Sequence, residues 1–498
     1  MLSSGSARVR KRKKKNNRKK ILLLSDDLKF HSGIATVSRE LIIGTASKYD
    51  WVQLAAAMKH PDHAKRVDLS DGVNKEAGIE DSYVIQYCHT GYGNPDVLRE
   101  LIQLESPDLI LMITDPRFFG FVFQMEHEIR THYKIPIAYL NIWDQCAPFP
   151  YWNSSFYAAC DLLMAINKGT KVANQEVLRH FGYKCSDIDK TDLREGTLLS
   201  YVPHGSTQKY YYKQTPNSPD WAEYQRFKTE FQKTHDVDFV VLFNNRNIRR
   251  KQPGDVILAF KRFCDKLPKE KAKRCALFMK TSVMDENGTD LISVKKAICP
   301  NYKVIFNDEL VGVNILNWFY NLADVVFYMS SAEGFGLAAN EGLMCGTMLL
   351  APVTGGLQDQ MRFEDENGGW LEFSKDFTSN HRGKYQNHGE WAVPIWPKAR
   401  QLQGSIPTPY IFDDVSDAED AANQLLKIYE LGKDERDRRG LEGQKWVLGT
   451  ESGMNAQAMT DKFAKCVDEL FKTWHPPTKY ELIKTEPFKQ IEDNGIQW

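Results

Sequence analysis

Short apolar runs recur along the chain, separated by segments whose apolar residues fall at helical spacing. Residues 21–25 (ILLLS), 51–57 (WVQLAAA), 82–88 (SYVIQYC), 108–114 (DLILMIT) and 135–143 (IPIAYLNIW) each read as a buried strand. Between them lie helical segments such as 33–47, where Ile34, Val37 and Leu41 share a face, 95–105 and 120–133. Near-continuous apolar strands alternating with helices predict parallel sheets covered on both faces, an α/β fold. The alternation continues through 161–167 and 198–206. It pauses over a polar, aromatic connector at about 208–235, then resumes at 239–243, 275–283, 303–308 and 325–329. A chain of 498 residues is long enough for two such domains.

The stretch 330–352 (SSAEGFGLAANEGLMCGTMLLAP) organises the rest. The apolar run from Val325 leads into a turn containing Glu333, Gly334 and Gly336. A short helical pattern follows, with Leu337, Leu343 and Met344 able to face inward. Gly346 stops it, and an apolar strand resumes. Such a turn lies at the carboxyl end of its strand, where α/β folds bind ligands. The first turn of a helix offers unpaired N–H groups and partial positive charge, which suit phosphate, and glycines allow close approach. Glu333 precedes the helix and Glu341 sits within it, about 12 Å further on if every step were helical. One carboxylate can face a reacting group while the other grips a vicinal diol. Two solvated glutamates beside a routine turn is the alternative reading.

E-G-F-G-L at 333–337, Glu341 eight residues after Glu333, C-G-T at 345–347, an apolar strand and Gly355-Gly356 together resemble the retaining group 1 glycosyltransferases, family 4 in the usual classification. The resemblance implies two Rossmann-like domains facing across a cleft, the B-type glycosyltransferase fold, with a nucleotide-sugar donor held mainly by the second. It places Gly33, after Ser32, in the glycine loop that approaches donor phosphate and acceptor. Arg246 and Lys251 match the pair that holds the donor diphosphate, and two cations after a strand suit two phosphates. Phe335, Gly336 and Leu337 fall on the donor side, Glu341 on the ribose hydroxyls, and Glu333 on the donor sugar as the principal catalytic carboxylate. Trp143-Asp144 stands where the family often has His-Asp. Asp144 can orient an acceptor hydroxyl or a sugar, and Phe149, Tyr151 and Trp152 either stack on a ring or pack beneath the loop.

Val202 to Gly205 (VPHG) resembles the segment where the first domain hands over to the second, with His204 shaping the turn. Residues 307–309, at a strand's end, suit recognition of the donor base, and Lys280 either approaches the phosphates or is solvated. Gly355-Gly356 is expected to form another phosphate-adjacent turn, with Asp359 beyond it. Asp236-Val237-Asp238 has the form of a D-x-D metal motif but precedes its strand, so no metal and no cofactor other than the donor is expected. The expected organisation is a basic leader (1–20), a first domain (21–207), the connector (208–235), a second domain (236–452), a helix returning to the first domain (453–475) and a tail (476–498). Residues 374–413, rich in aromatics and prolines, are expected to leave the sheet as an insert. That insert either shapes acceptor specificity or is a surface excursion.

Composition narrows the setting. Hydrophobic residues make up 42% and charged residues 26%, with net charge zero, so no whole-protein basic field attracts nucleic acid. Nine scattered cysteines point to reduced thiols in a cytoplasmic setting, and no apolar run approaches a membrane span. The leader RVRKRKKKNNRKK has nothing to bury and is expected to be disordered, touching nucleic acid or another anionic surface or merely solvated. The expected activity is transfer of a sugar from a nucleotide-diphosphate donor to a hydroxyl acceptor, a glycan, a small molecule or a modified DNA base. An epimerase or hydrolase on the same fold and a non-catalytic polyanion-binding protein are the rival readings.

Overall fold

The computed structural model describes residues 18–144, 148–377 and 379–477. Most of the basic leader, all but the first two residues of the expected tail, and part of the loop after Asp144 lie outside the described residues. Two parallel sheets dominate. In the first, Lys19–Asp26 runs centrally, parallel to Tyr49–Ala56 on one side and Leu109–Ile113 on the other. Val84–Cys88 and the short antiparallel Arg66–Asp68 extend one edge. Ile137–Asn141, Leu162–Ala165, Thr197–Tyr201 and Cys185–Asp187 extend the other. Every residue of Val84–Cys88, Leu109–Ile113 and Ile137–Asn141 is buried, which is why these strands lack alternation.

The second sheet is built on Phe239–Asn244, flanked by Cys275–Lys280 and Val325–Phe327. Lys303–Asn307 closes one edge; Met348–Pro352 and then Ala392–Ile395 complete the other. The helix Trp221–His235, within the connector, packs against this second unit, with Phe231 meeting Phe278 and Phe227 meeting Phe319.

Two expectations change. The end of the basic run belongs to the fold: the first strand starts at Lys19, Lys20 Nζ donates to Glu105 Oε2 at 3.0 Å, and Arg18 pairs with Asp81. These cations have carboxylate partners, so self-repulsion does not expel them. The supposed insert returns to the sheet at Ala392–Ile395, in parallel register with Met348–Pro352. Pro394 is tolerated there because the strand lies at the edge. Among the described residues, only a two-stranded hairpin, Ala399–Ser405 and Thr408–Val415, stands apart from both sheets.

The chain then crosses back. Ala456 N donates to Ser206 O at 3.0 Å, and a Cβ on Gly205 would come within 2.2 Å of the Asn455 carbonyl carbon, so only glycine fits that crossing. Asn455 caps the helix Ala456–Thr473 by accepting from Ala458 N. Its buried face (Met459, Phe463, Val467, Leu470) lies on the first sheet, with the Phe463 ring 6.0 Å from that of Trp51. Both rings are buried completely, so Phe463→Ala leaves a cavity that a cross-domain helix cannot fill by shifting. The expected loss is about 3–5 kcal/mol in chemical unfolding. A loss under about 1 kcal/mol would show that this helix does not fasten the two units.

Candidate active site

The carboxyl ends of the two sheets face each other. From the first come the loop after Asp26, which Ser32 closes by donating to Asp26 Oδ2 at 2.6 Å while capping the helix Gly33–Thr45, and the loop after Asn141. From the second come the loop after Asn244 and the turn after Phe327. A Cβ on Gly33 would sit 3.1 Å from Leu337 Cδ1, so the glycine loop of one domain abuts the start of helix Leu337–Met344 in the other. Gly336 supplies the turn into that helix with φ of 89°, a left-handed conformation that a side chain would strain.

Glu333 is the centre of an ionic cluster. It is 7% exposed, and Lys251 Nζ donates to its Oε2. Arg250 Nη1 lies 3.9 Å from Glu333 Oε1 and 3.3 Å from Asp144 Oδ2, bridging the two domains. The same guanidinium donates to Ala332 O at 2.9 Å, fixing its place against the glutamate turn. Burial works against the Glu333 carboxylate, yet Lys251 and Arg250 hold it below its ordinary value. Burial also pushes the Lys251 ammonium down to about 8, although Glu333 pulls the other way. Arg250 stays firmly charged: burial opposes its charge, but Asp144, Glu333 and Asp413 outweigh it.

The turn is braced from beneath and from across the cleft. Gly356 N donates to Glu333 O at 2.9 Å, and a Cβ on Gly355 would fall 2.0 Å from that same oxygen. Gly355-Gly356 therefore supports the backbone of the glutamate turn from below. Asn167 Nδ2 of the first domain donates to Gly334 O at 2.6 Å. Asp359 is fully buried and accepts from Lys168 N at 2.9 Å and Tyr201 OH at 3.0 Å, so it fastens one domain to the other. Burial pushes Asp359 up to about 6 despite Lys168.

The remaining expected residues fall unevenly. Arg246 is 65% exposed in its side chain and pairs with Asp285 at 3.1 Å, whereas the Lys251 side chain is 9% exposed. The cation beside Glu333 and Lys251 is Arg250, which sequence reasoning passed over. Phe335 is buried and packs on His204 with centroids 5.4 Å apart. Burial drops His204 to about 3, so its ring is neutral and acts as packing. Glu341 is buried as well; Tyr320 OH donates to its Oε2 at 2.5 Å, and burial pushes it up to about 7 against hydrogen bonds from Tyr320 and Tyr211. Asp236 and Asp238 both pair with Arg274 at the strand's beginning, away from the cleft. Lys280 and Asn307 end neighbouring strands of the second sheet.

Among the described residues one group has the makings of a metal site, Asp27, His60 and Cys88, with ligand atoms within 4.8 Å of one another. Its chemistry is satisfied without an ion. His60 Nδ1 accepts from Asp62 N at 2.9 Å, so Nε2 carries the proton and donates to Asp27 Oδ2 at 2.7 Å. Burial pushes the Cys88 thiol up to about 11, so without an ion it is protonated. No helix among the described residues is long and apolar enough to cross a membrane.

No protein-family model matches this chain, and no curated protein matches its sequence. Solved structures do. Sucrose-phosphate synthase from Thermosynechococcus elongatus superposes with a TM-score of 0.60 at 13% identity, covering 91% of this chain and 100% of that one. The Anabaena protein HepE, in complex with UDP and glucose, gives 0.60 at 13%, with the same coverage. The α,α-trehalose 6-phosphate synthase from Burkholderia multivorans gives 0.59 at 12%, covering 92% and 99%. The chain therefore has the two-domain B-type glycosyltransferase fold over nearly its whole described length.

The Lys251–Glu333 pair can be weighed directly. Lys251→Met leaves a buried carboxylate without its main partner and is expected to cost about 3–5 kcal/mol in urea unfolding. Combining it with Glu333→Gln should recover much of that loss. Strictly additive losses would mean that the two groups do not interact energetically.

Proposed function

We propose that this protein is a glycosyltransferase that moves a sugar from a nucleotide-diphosphate donor to a hydroxyl acceptor, with retention at the anomeric carbon. The observation that carries this reading is the cluster of Glu333, Lys251, Arg250 and Asp144. It is gathered from both domains beside the start of a helix, between two glycine loops. Here two cations already sit together, Lys251 buried and Arg250 partly open to the cleft, each beside a carboxylate. A diphosphate arriving against the N–H groups of Leu337 and Ala338 would take over Lys251 and Arg250 as partners. Glu333 is then released from its ion pair and turns its charge to the sugar.

In this reading the bond between the anomeric carbon and the phosphate oxygen breaks, and its electron pair leaves with the diphosphate. The acceptor oxygen bonds to the anomeric carbon on the same face, and its proton passes to the departing phosphate oxygen. Lys251, Arg250 and the helix N–H groups stabilise the charge that grows on the diphosphate, the largest expected term in a preorganised site. Glu333 stabilises the positive charge that grows on the sugar ring. Asp144 orients the acceptor hydroxyl once Arg250 has turned to phosphate. Glu341, between its two tyrosines and partly protonated near neutrality, both donates and accepts and so suits a vicinal ribose diol. These groups serve the donor without a divalent ion. HepE has been solved with UDP-glucose, which makes UDP and UDP-glucose the first probes for this chain.

Two measurements test the assignment. With a matched nucleotide sugar, Glu333→Gln should lower turnover by about 10²–10³-fold, the usual cost of removing one preorganised electrostatic group; near-normal turnover would contradict its role. Among nucleotide affinities measured by calorimetry, Arg250→Ala should lose at least about tenfold, a loss of roughly 1.4 kcal/mol, and Arg246→Ala clearly less. The opposite order would return the diphosphate to Arg246.

A further inference from the structure

The hairpin Ala399–Ser405 and Thr408–Val415 begins at the ionic cluster and ends on the opposite domain. At its inner end Asp414, 1% exposed, is locked in place. Its backbone N donates to Ser331 O at 3.0 Å, and its carboxylate accepts from Thr354 Oγ1 at 2.8 Å, Ser379 Oγ at 3.1 Å and Arg400 Nε at 3.1 Å. Its neighbour Asp413 contributes to the charge felt by Arg250. The hairpin is thus tied to the very turn that carries Glu333. Further out, Tyr410 reaches the first domain and meets Trp152 edge to face, with ring centroids 4.3 Å apart at 86°. Trp152 in turn meets Trp143 at 6.1 Å, and Trp143 is the residue before Asp144. An aromatic row, Trp143–Trp152–Tyr410, therefore runs outward from the carboxylate that faces Arg250, and its last member comes from the other domain.

We propose that this row is the acceptor subsite, that the hairpin is the element that selects the acceptor, and that the acceptor is a carbohydrate ring. This rests on the glycosyltransferase reading above. Three observations favour a sugar. The Trp152–Tyr410 contact sets C–H groups against an aromatic face, the same contact that the C–H face of a pyranose makes, so a sugar can replace or extend it without exposing the indole. Trp152 Nε1 is buried with no hydrogen-bond partner among the described residues, a donor that a ring hydroxyl would satisfy. Asp144, next to Trp143, and Asp413, on the same strand as Tyr410, are carboxylates, which accept hydrogen bonds from the hydroxyls of a sugar ring. The hairpin's tip supplies the room to move: Ile406 is fully exposed and Leu402 is 60% exposed, and the hairpin pairs with neither large sheet, so Tyr410 can swing from Trp152 while Asp414 holds the base.

The test is saturation-transfer NMR on the whole chain. The probes are glucose, mannose, galactose, N-acetylglucosamine and maltose, with a single-stranded oligonucleotide as competitor, each with and without UDP or GDP. The expected result is saturation of ring C–H protons in at least one of the sugars, untouched by the oligonucleotide. Tyr410→Ala or Trp152→Ala should weaken that sugar's affinity at least tenfold, while Tyr410→Phe, which keeps the ring, retains it. Thermal melting of each variant confirms that it folds. Saturation by no sugar, or saturation that survives both alanine variants, overturns the subsite; displacement by the oligonucleotide overturns the choice of a sugar. Nucleotide binding by the unaltered protein reads the parent proposal separately: its absence sinks the glycosyltransferase reading, and its presence without a sugar signal sinks only the hairpin's role.

Discussion

Glu333 and Lys251 form a buried ion pair at the place where two domains meet, and the arrangement around it follows from the cost of keeping those charges out of water. A buried charge is tolerated only when its partners and hydrogen bonds are well placed. Ser330 Oγ, 3.4 Å from Glu333 Oε2, and the Arg250 guanidinium supply further support. Arg250 in turn needs a carboxylate, and Asp144 comes from the other domain to provide one. The electrostatics of one turn thereby helps to specify how the domains face each other. Asn167 on Gly334 and Lys168 on Asp359 complete the seam with neutral and charged hydrogen bonds.

The arrangement also explains why the glycines lie where they do. The turn that presents Glu333 has backbone from Gly355 and Gly356 directly beneath it and Ile142 and Ile166 of the other domain directly above Gly334. Any side chain at these positions would separate the layers and pull Glu333 from its cations. Below the helix, Asn340 accepts from Ser206 N at 3.0 Å and donates to Met454 O at 2.9 Å, so the same helix also fixes the two crossings between domains. A short helix thus anchors the turn, the hand-over segment and the returning chain.

Much of this was legible in the sequence, for a physical reason: strands, helix and glycine turn are set by local periodicity. The helix Leu337–Met344, its stop at Gly346 with φ of 69°, and the strands on either side all lie where the apolar pattern put them. What could not be read depends on contacts far apart in sequence. Arg246 and Arg250 share one loop, and which of them faces Glu333 is decided by the tight turn Arg249–Lys251 and the left-handed Gln252 that follows it. Nothing in the residue types tells them apart. The edge strand Ala392–Ile395 was hidden by its proline and its brevity, and the hairpin by being largely exposed, which removes the alternation that marks a half-buried strand. Glu341 was readable as a paired carboxylate, but its burial under Tyr320 and Tyr211 was not.

The central claim is that the start of the helix at Leu337, with Lys251 and Arg250 opposite, is a diphosphate site whose cations are held ready by Glu333 and Asp144. A crystal structure of the protein grown with a nucleoside diphosphate that it binds tests this most directly. The account predicts both phosphates against the N–H groups of Leu337 and Ala338, with Lys251 and Arg250 turned from their carboxylates onto phosphate oxygens. A diphosphate bound elsewhere, with the Lys251–Glu333 pair undisturbed, would contradict it.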